Sequence, residues 1–340
     1  MASDYFKFVV IGYGHIGKRH ADTIMAAKHA ELVAIIDSNP IELPQGLKKI
    51  PVFTSIESFQ NSNIHADVAN ICTPNGLHSQ QAIAMLNEDC NVIIEKPMGL
   101  SAHECRKVID LANRKSKKAY CVMQNRYSPP AKWLKSIHEE GKLGEIHLLQ
   151  INCFWNRDER YYKKENGSWR GTLELDGGTL YTQFSHFIDL VYWVFGDLEV
   201  LGADFHNFNH KELIDFEDSG LVRFKLDNGG LVSLNYSTSV NRSNFESSIS
   251  IIAEHGTVKI GGQYMNKVEY CDIANYEFRE LPVSNPPNDY GTYKGSANNH
   301  PFVLENVLKD LKGEEADITT AEEGMKIVEL IEEIYKRRNS

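Results

Sequence analysis

No stretch of this 340-residue chain approaches the roughly 18 consecutive apolar residues that a membrane-crossing helix needs, so a helical membrane protein is excluded. Cysteine is sparse and scattered: Cys72, Cys90, Cys105, Cys121, Cys153 and Cys271 form no C-x-x-C pair, which argues against a zinc ribbon or a dithiol redox motif. No cysteine–histidine spacing supports a zinc dehydrogenase either, and no metal is expected. Thiols so dispersed suit a reducing cytoplasm. Positive charge is in deficit: Lys+Arg 36 minus Asp+Glu 46 gives −10, against a broadly basic face for nucleic acid. The opening MASDYFKFVVIGYG carries Asp4 and glycines within its short apolar run, so it does not read as a signal peptide. Internal repeats and low-complexity linkers are lacking too. The expectation is a soluble cytoplasmic protein with neither nucleic acid nor membrane as partner.

What is present is ordinary globular composition, 42% hydrophobic and 24% charged. At roughly 150 residues per domain the length predicts two domains, each able to bury its own core. FKFVVI at 6–11 reads as a buried strand, followed by a helix to about Lys28 and a strand from Glu31 to Ile36. Strands at 68–72 and 91–94 enclose a helix over 78–88, and Ser101 with Glu104 predicts a capping box for a helix over 102–115. Such alternation implies a parallel sheet covered on both faces.

Past residue 125 the texture changes. A helix from Pro129-Pro130 ends near Gly141, and strands follow at 146–156, 220–227, 230–238 and 246–253. Asp227-Asn228-Gly229-Gly230 is a hairpin signal between two of them. A long apolar helix over 179–195 interrupts the strands, and Thr320 with Glu323 caps a last amphipathic helix to about Lys336. The predicted fold class is α/β: a Rossmann domain over 1–125 and an α+β domain over 126–340 with a large, mainly antiparallel sheet. The second domain would bind substrate and assemble the oligomer, and its C-terminal helix is free to pack back on the first. A large sheet with one face bare of helices would bury that face on another subunit, predicting a homodimer or homotetramer.

Gly12-Tyr13-Gly14-His15-Ile16-Gly17 is G-x-G-x-x-G with a strand before it, a helix after it and Asp37 twenty residues beyond Gly17. Gly12 permits the tight turn, Gly14 admits a pyrophosphate to the backbone, and Gly17 allows helix and strand to pack closely. The helix start offers free N–H groups to the phosphates. Asp37 would accept from ribose hydroxyls and repel a 2′-phosphate, and Ser38-Asn39 supply no arginine, so NAD is favoured over NADP. A plain α/β turn with a chance acid is the competing explanation. His15 and His20 receive no catalytic role.

Thr73-Pro74-Asn75 with His78, then Glu95-Lys96-Pro97, complete a set that resembles the Gfo/Idh/MocA oxidoreductases, the family of glucose–fructose oxidoreductase and inositol dehydrogenase. The resemblance covers essentially the whole chain. It implies that these seven residues flank NAD and that Lys96, often before a cis proline in the family, is catalytic. A lysine partly desolvated by a cofactor can donate to, or relay a proton from, an alcohol oxygen. The stretch Asp176 to Asp189 matches the helix in which the family places a proton-accepting histidine, here His186, whose residue type suits general-base work. Many relatives carry aspartate four residues earlier; this chain has Thr182. That departure leaves Lys96 and His186 as the catalytic pair, with Thr182 and Gln183 facing substrate and Asp189 orienting.

Three further stretches resemble the branch of the family that oxidises C3 of UDP-N-acetylglucosaminuronic acid in bacterial O-antigen and surface-polysaccharide biosynthesis. They are Gln124 to Pro130, Trp155-Asn156-Arg157 with Tyr161-Tyr162, and Trp169-Arg170-Gly171-Thr172. A substrate with a diphosphate and a carboxylate suits Arg126, Arg157, Arg160 and Arg170, since guanidinium forks bind both groups bidentately. Trp155, Tyr161, Tyr162 and Trp169 would stack on uracil or sugar. Asn299-His300 would approach the substrate or cap a helix. The resemblance further implies 2-oxoglutarate as reoxidant of bound cofactor. The rivals are a family dehydrogenase of a free sugar or polyol such as an inositol, and a non-catalytic NAD-binding sensor.

Overall fold

In the computed structural model of the chain, residues 5–163, 168–262, 264–289 and 294–338 are described. Strand β1 (Phe6–Ile11) buries its last four side chains and runs through the glycine turn into helix α1 (His15–Ala26). There follow β2 (Ala30–Ile36), β3 (Val52–Phe53), α2 (Ile56–Gln60), β4 (Val68–Ile71), α3 (His78–Asn87), β5 (Asn91–Ile94), α4 (Ala102–Arg114) and β6 (Ala119–Cys121). The strands pair in parallel in the order β3-β2-β1-β4-β5-β6. Register aligns Ile11 with Ile36 and Ile71, Ile71 with Ile94, and Ile94 with Cys121. The glycine turn, Asp37, Thr73 and Glu95-Lys96 therefore all leave the sheet at one edge, the carboxyl edge where open α/β sheets bind ligands.

The chain continues with α5 (Pro129–Glu139), β7 (Ile146–Phe154), α6 (Glu159–Tyr162), a π-helical turn at Leu180–Phe184 and α7 (Ser185–Phe195). Strands β8 (Leu198–His206), β9 (Ser219–Leu226), β10 (Leu231–Ser237), β11 (Glu246–Ala253), β12 (Gly256–Gly261) and β13 (Lys267–Ile273) come next. A small hairpin of β14 (Pro287–Asp289) and β15 (Lys294–Ala297) precedes α8 (His300–Leu311) and α9 (Ala321–Lys336). The second sheet runs β13-β12-β11-β7-β10-β9-β8, and its pairs are antiparallel except β7 with β10. The predicted fold class holds: a parallel Rossmann sheet and a large, mostly antiparallel one. Alternation sets the faces: in β9 Val222, Phe224 and Leu226 point in, and Leu221, Arg223 and Lys225 point out. Inside, Phe184 and Phe187 of the helical segment meet Trp155, just past β7, edge-on, and Phe184 tilts against Tyr236 of β10. Outside, Leu231, Leu148 and Ile252 lie in register across three adjacent strands, each 42% or more exposed.

The described chain groups into two compact units, residues 1–123 with 300–328 and residues 124–299 with 329–340. The sequence placed the boundary at 125, with all later residues in the second domain. Two local expectations need correcting. Ser101 makes no side-chain cap to α4, and Glu104, the other half of the expected box, pairs with Lys107 at 2.6 Å. The helix expected over 179–195 is a π-helical turn followed by α7, with extra backbone accommodated where Gly178 abuts Tyr335. The Thr320–Glu323 capping box is present, each side chain taking the other's backbone N–H.

Candidate active site

In the first unit each glycine of the turn has a separate duty. Gly12 sits at φ +86°, and a Cβ there would lie 2.8 Å from the Cys72 carbonyl oxygen. A Cβ on Gly17 would collide with the Gly12 carbonyl oxygen at 1.8 Å. Gly14 faces open space, with nothing within 4 Å of where a Cβ would be, so a pyrophosphate has room to approach. Gly14 and His15 are exposed at the α1 start, where free N–H groups collect. The Asp37 carboxylate accepts from the Tyr13 N–H at 2.7 Å and from the Asn39 N–H at 2.9 Å, which fixes an acid at the β2 end beside the turn. These residues fit a dinucleotide whose ribose carries free hydroxyls. Ile16 is half-buried beside them.

The Thr73-Pro74-Asn75 and Glu95-Lys96-Pro97 segments follow β4 and β5, and the Lys96–Pro97 peptide is cis. Two ionisable members are buried. His78 is buried, its ring nitrogens 2.8 Å from the Pro97 carbonyl oxygen and 2.9 Å from that of Thr73, so it joins the two segments from beneath. Burial, only partly offset by those carbonyls, pushes its pKa below the usual range, so the neutral ring donates to one carbonyl at a time. Glu95 is likewise turned inward. Its Oε1 accepts from His20 Nε2 at 2.9 Å and His300 Nε2 at 3.2 Å, and its Oε2 from the Lys96 backbone N–H at 3.2 Å. Lys96 is half-buried at the strand edge.

In the second unit Arg126 gives its Nε and Nη2 to Asp189, at 3.0 and 2.6 Å, and both residues are buried. Its charge is balanced by Asp189, which orients the guanidinium. Arg160 pairs with Asp158 at the surface. Arg157 is buried, donating from Nε to Gln183 Oε1 at 2.8 Å, and Gln183 Nε2 donates to the Tyr161 hydroxyl at 2.7 Å. Arg157 lies over the Trp155 and Tyr161 rings at 4.8 and 5.2 Å, and Arg170 over Tyr161 and Trp169 at 4.8 and 4.6 Å. The aromatic and basic side chains of two of the stretches thus interleave as Trp155, Arg157, Tyr161, Arg170 and Trp169.

The turn before the helix is braced by Asp176, which accepts from the Thr182 hydroxyl and, at 2.7 Å, from the Gly171 N–H. Where many relatives carry an acid on the helix, this chain has a threonine bonded to an acid six residues earlier. His186, on the first turn of α7, is buried. Sequence reasoning missed Glu217, a buried carboxyl that accepts from the Tyr236 and Tyr335 hydroxyls, each at 2.9 Å. Its backbone carbonyl takes the Thr179 hydroxyl at 2.5 Å. Burial pushes its pKa up to about 7, against the hydrogen bonds from both tyrosines.

Two family models match the chain: the oxidoreductase family with NAD-binding Rossmann fold over residues 6–123, and the GFO/IDH/MocA C-terminal domain over residues 132–259. The WlbA dehydrogenase from Bordetella pertussis, solved in complex with NADH and UDP-GlcNAcA, superposes with a TM-score of 0.85 at 28% identity, covering 98% of this chain and 96% of that one. WlbA from Chromobacterium violaceum, solved with the same two ligands, gives 0.85 and 28% over 99% of this chain and 94% of that one. Glucose-6-phosphate 3-dehydrogenase of Bacillus subtilis is 24% identical over 97% of this chain and 96% of its own length.

Proposed function

The chain belongs to the Gfo/Idh/MocA oxidoreductases, NAD-dependent enzymes acting on the CH–OH of sugars and polyols, and from that premise we propose that its substrate is UDP-N-acetylglucosaminuronic acid, oxidised at C3 to the ketosugar. The observation that carries this reading is the Arg–aromatic ladder of Trp155, Arg157, Tyr161, Arg170 and Trp169 in a chain whose net charge is −10. Guanidinium groups held against rings keep their charge while presenting flat faces, which suits a ligand with a diphosphate, a carboxylate and a planar base. The likeness to two dehydrogenases solved with that nucleotide sugar supports it.

NAD held by the glycine turn and Asp37 would supply the hydride acceptor for C3. The residues of the chain handle the proton and the pose. His186 or Lys96 takes the hydroxyl proton as the C–O bond becomes a carbonyl, so one hydride and one proton leave the alcohol. Gly12, Gly14 and Gly17 with Asp37 hold the dinucleotide, and Thr182 and Gln183 contact the sugar. Reoxidation by 2-oxoglutarate and a place in bacterial surface-polysaccharide biosynthesis in the cytoplasm belong to the same reading. So does a homodimer or homotetramer, in which the aligned Leu231, Leu148 and Ile252 would be covered by a second copy.

The test is a product assay by mass spectrometry. Protein is incubated with NAD and UDP-N-acetylglucosaminuronic acid, with and without 2-oxoglutarate, beside UDP-N-acetylglucosamine and free myo-inositol. Loss of one H2 from the uronic acid alone is the expected result, with turnover sustained by 2-oxoglutarate. Oxidation of inositol with the uronic acid untouched would replace this substrate by a polyol. Turnover retained in Lys96→Ala would remove that lysine from the chemistry.

A further inference from the structure

The Glu95 carboxylate lies one residue from Lys96 and is gripped from three directions. From α1, His20 donates through Nε2; its Nδ1 accepts from Asn70 Nδ2 of β4 at 2.7 Å, which leaves Nε2 carrying the proton. From the start of α8, His300 donates through Nε2. From its own chain, the Lys96 N–H closes onto Oε2. The two imidazoles meet edge-on at 5.4 Å. Their ring nitrogens and the carboxylate oxygen fall within 4.8 Å of one another, arranged as donors to an acceptor. The side chains of His20, Asn70, Glu95 and His300 are all buried.

A buried ionised carboxylate costs several kcal/mol unless it is fully bonded, so a core that needed only packing would carry an apolar residue here. Burial would raise the Glu95 pKa, and the His20 and His300 bonds outweigh it and hold the group well below the usual carboxylate range. The other ionisable groups facing this anion are few. Arg19 lies on α1 beside the histidines, Cys72 follows β4 with its thiol pushed up by burial and by Glu95, and His78 reaches in from α3.

We propose that His300 and His20 are positioning residues for Lys96: by holding the Glu95 anion at the β5 end they fix the turn that presents the lysine and keep it in its ammonium form. The consequence, which rests on the catalytic reading of Lys96, is a division of labour. Lys96 serves as hydrogen-bond donor to the reacting oxygen, and His186 is the base.

The experiment needs no substrate. Lysines of the full chain are reductively methylated with 13C-formaldehyde, the Lys96 signal is assigned by its loss in Lys96→Arg, and its titration midpoint is read by NMR. Glu95→Gln removes the charge at nearly constant size, and its midpoint should fall by about one pH unit, the scale of a nearby opposite charge. His300→Leu should fall likewise, and His300→Gln, which keeps a donor, should stay with the parent. An unmoved midpoint in Glu95→Gln overturns the proposal, and that variant decides alone where His300→Leu does not fold. Equal shifts in His300→Leu and His300→Gln overturn the role of the hydrogen bond. Failure here leaves the product assay untouched, and failure of the product assay leaves this titration standing.

Discussion

Glu217 is where the structure commits most sharply to a number. Its carboxyl is buried among Tyr236, Tyr335 and the backbone of β9, with a pKa pushed to about 7 from an ordinary 4.5. Because the folded state holds this proton more tightly than the unfolded chain, Glu217 leaves stability intact below about pH 4.5 and erodes it as pH rises through about 7. At about 1.4 kcal/mol per pH unit the full penalty is about 3 kcal/mol, of which about 2 kcal/mol develops between about pH 5.5 and about pH 8.5.

Glu217→Gln removes the titration and keeps an amide oxygen for the two tyrosine hydroxyls. Urea unfolding followed by fluorescence, run on parent and variant at both pH values, measures the difference directly. The variant should gain about 2 kcal/mol on the parent between the acidic and the alkaline measurement, whatever its offset at either one. A constant offset across that range would refute the reasoning, because it would mean Glu217 titrates alike in the folded and unfolded chain. A gain of the opposite sign would mean that the tyrosine bonds outweigh burial and hold the group ionised.

Arg126→Leu should destabilise the fold by about 3–5 kcal/mol, because it strands the fully buried Asp189 carboxylate; the drop in unfolding midpoint reads it, and a mild loss would place Arg126 with the ligand contacts after all. Asp37→Asn keeps an acceptor for the Tyr13 N–H and removes the charge that repels a 2′-phosphate. Fluorescence titration should show NADP affinity rising relative to NAD by roughly tenfold or more, the scale of one charged hydrogen bond; an unchanged ratio would remove Asp37 from cofactor choice.

The parts of the fold that were legible are those whose physics is local. A strand, a glycine turn and a helix stand within some twenty residues of one another, and each glycine's duty follows from the missing Cβ. Strands β9 and β10 were legible with the Asp227-Asn228-Gly229-Gly230 turn between them, and they pair antiparallel as that turn implies. Strands β8, β12 and β13 escaped notice. Glycine opens β12 and ends it, and β13 lies largely exposed on the sheet edge, so neither offers the regular alternation of buried and exposed side chains that marks β9. The π-helical turn was missed for a different reason: the apolar period from 179 to 195 is unbroken, and the contacts around its start include distant ones, Thr179 with the Glu217 carbonyl and Leu180 with the Tyr335 hydroxyl, 155 positions away.

The site divides along the same line. Motif residues announce themselves by spacing, but spacing says nothing about which way a side chain turns. Glu95 and His78 sit in a cofactor motif and yet face inward: Glu95 finds buried donors on α1 and α8 that the motif does not contain, and His78 turns back onto the Thr73 and Pro97 carbonyls of the motif itself. Arg126 was read with the other arginines because charge type is visible in a sequence and charge pairing is not; its partner lies 63 residues on. His300 is the extreme case, 205 positions from the carboxylate it holds. A buried anion beside a lysine must find its donors somewhere, and in a two-layer α/β fold helices from distant parts of the chain are the elements available to bring them. That is why residues governing the state of Lys96 lie outside the motif that names it, and why substitutions at His300 test the chemistry of the strand edge more sharply than substitutions among the glycines of the turn.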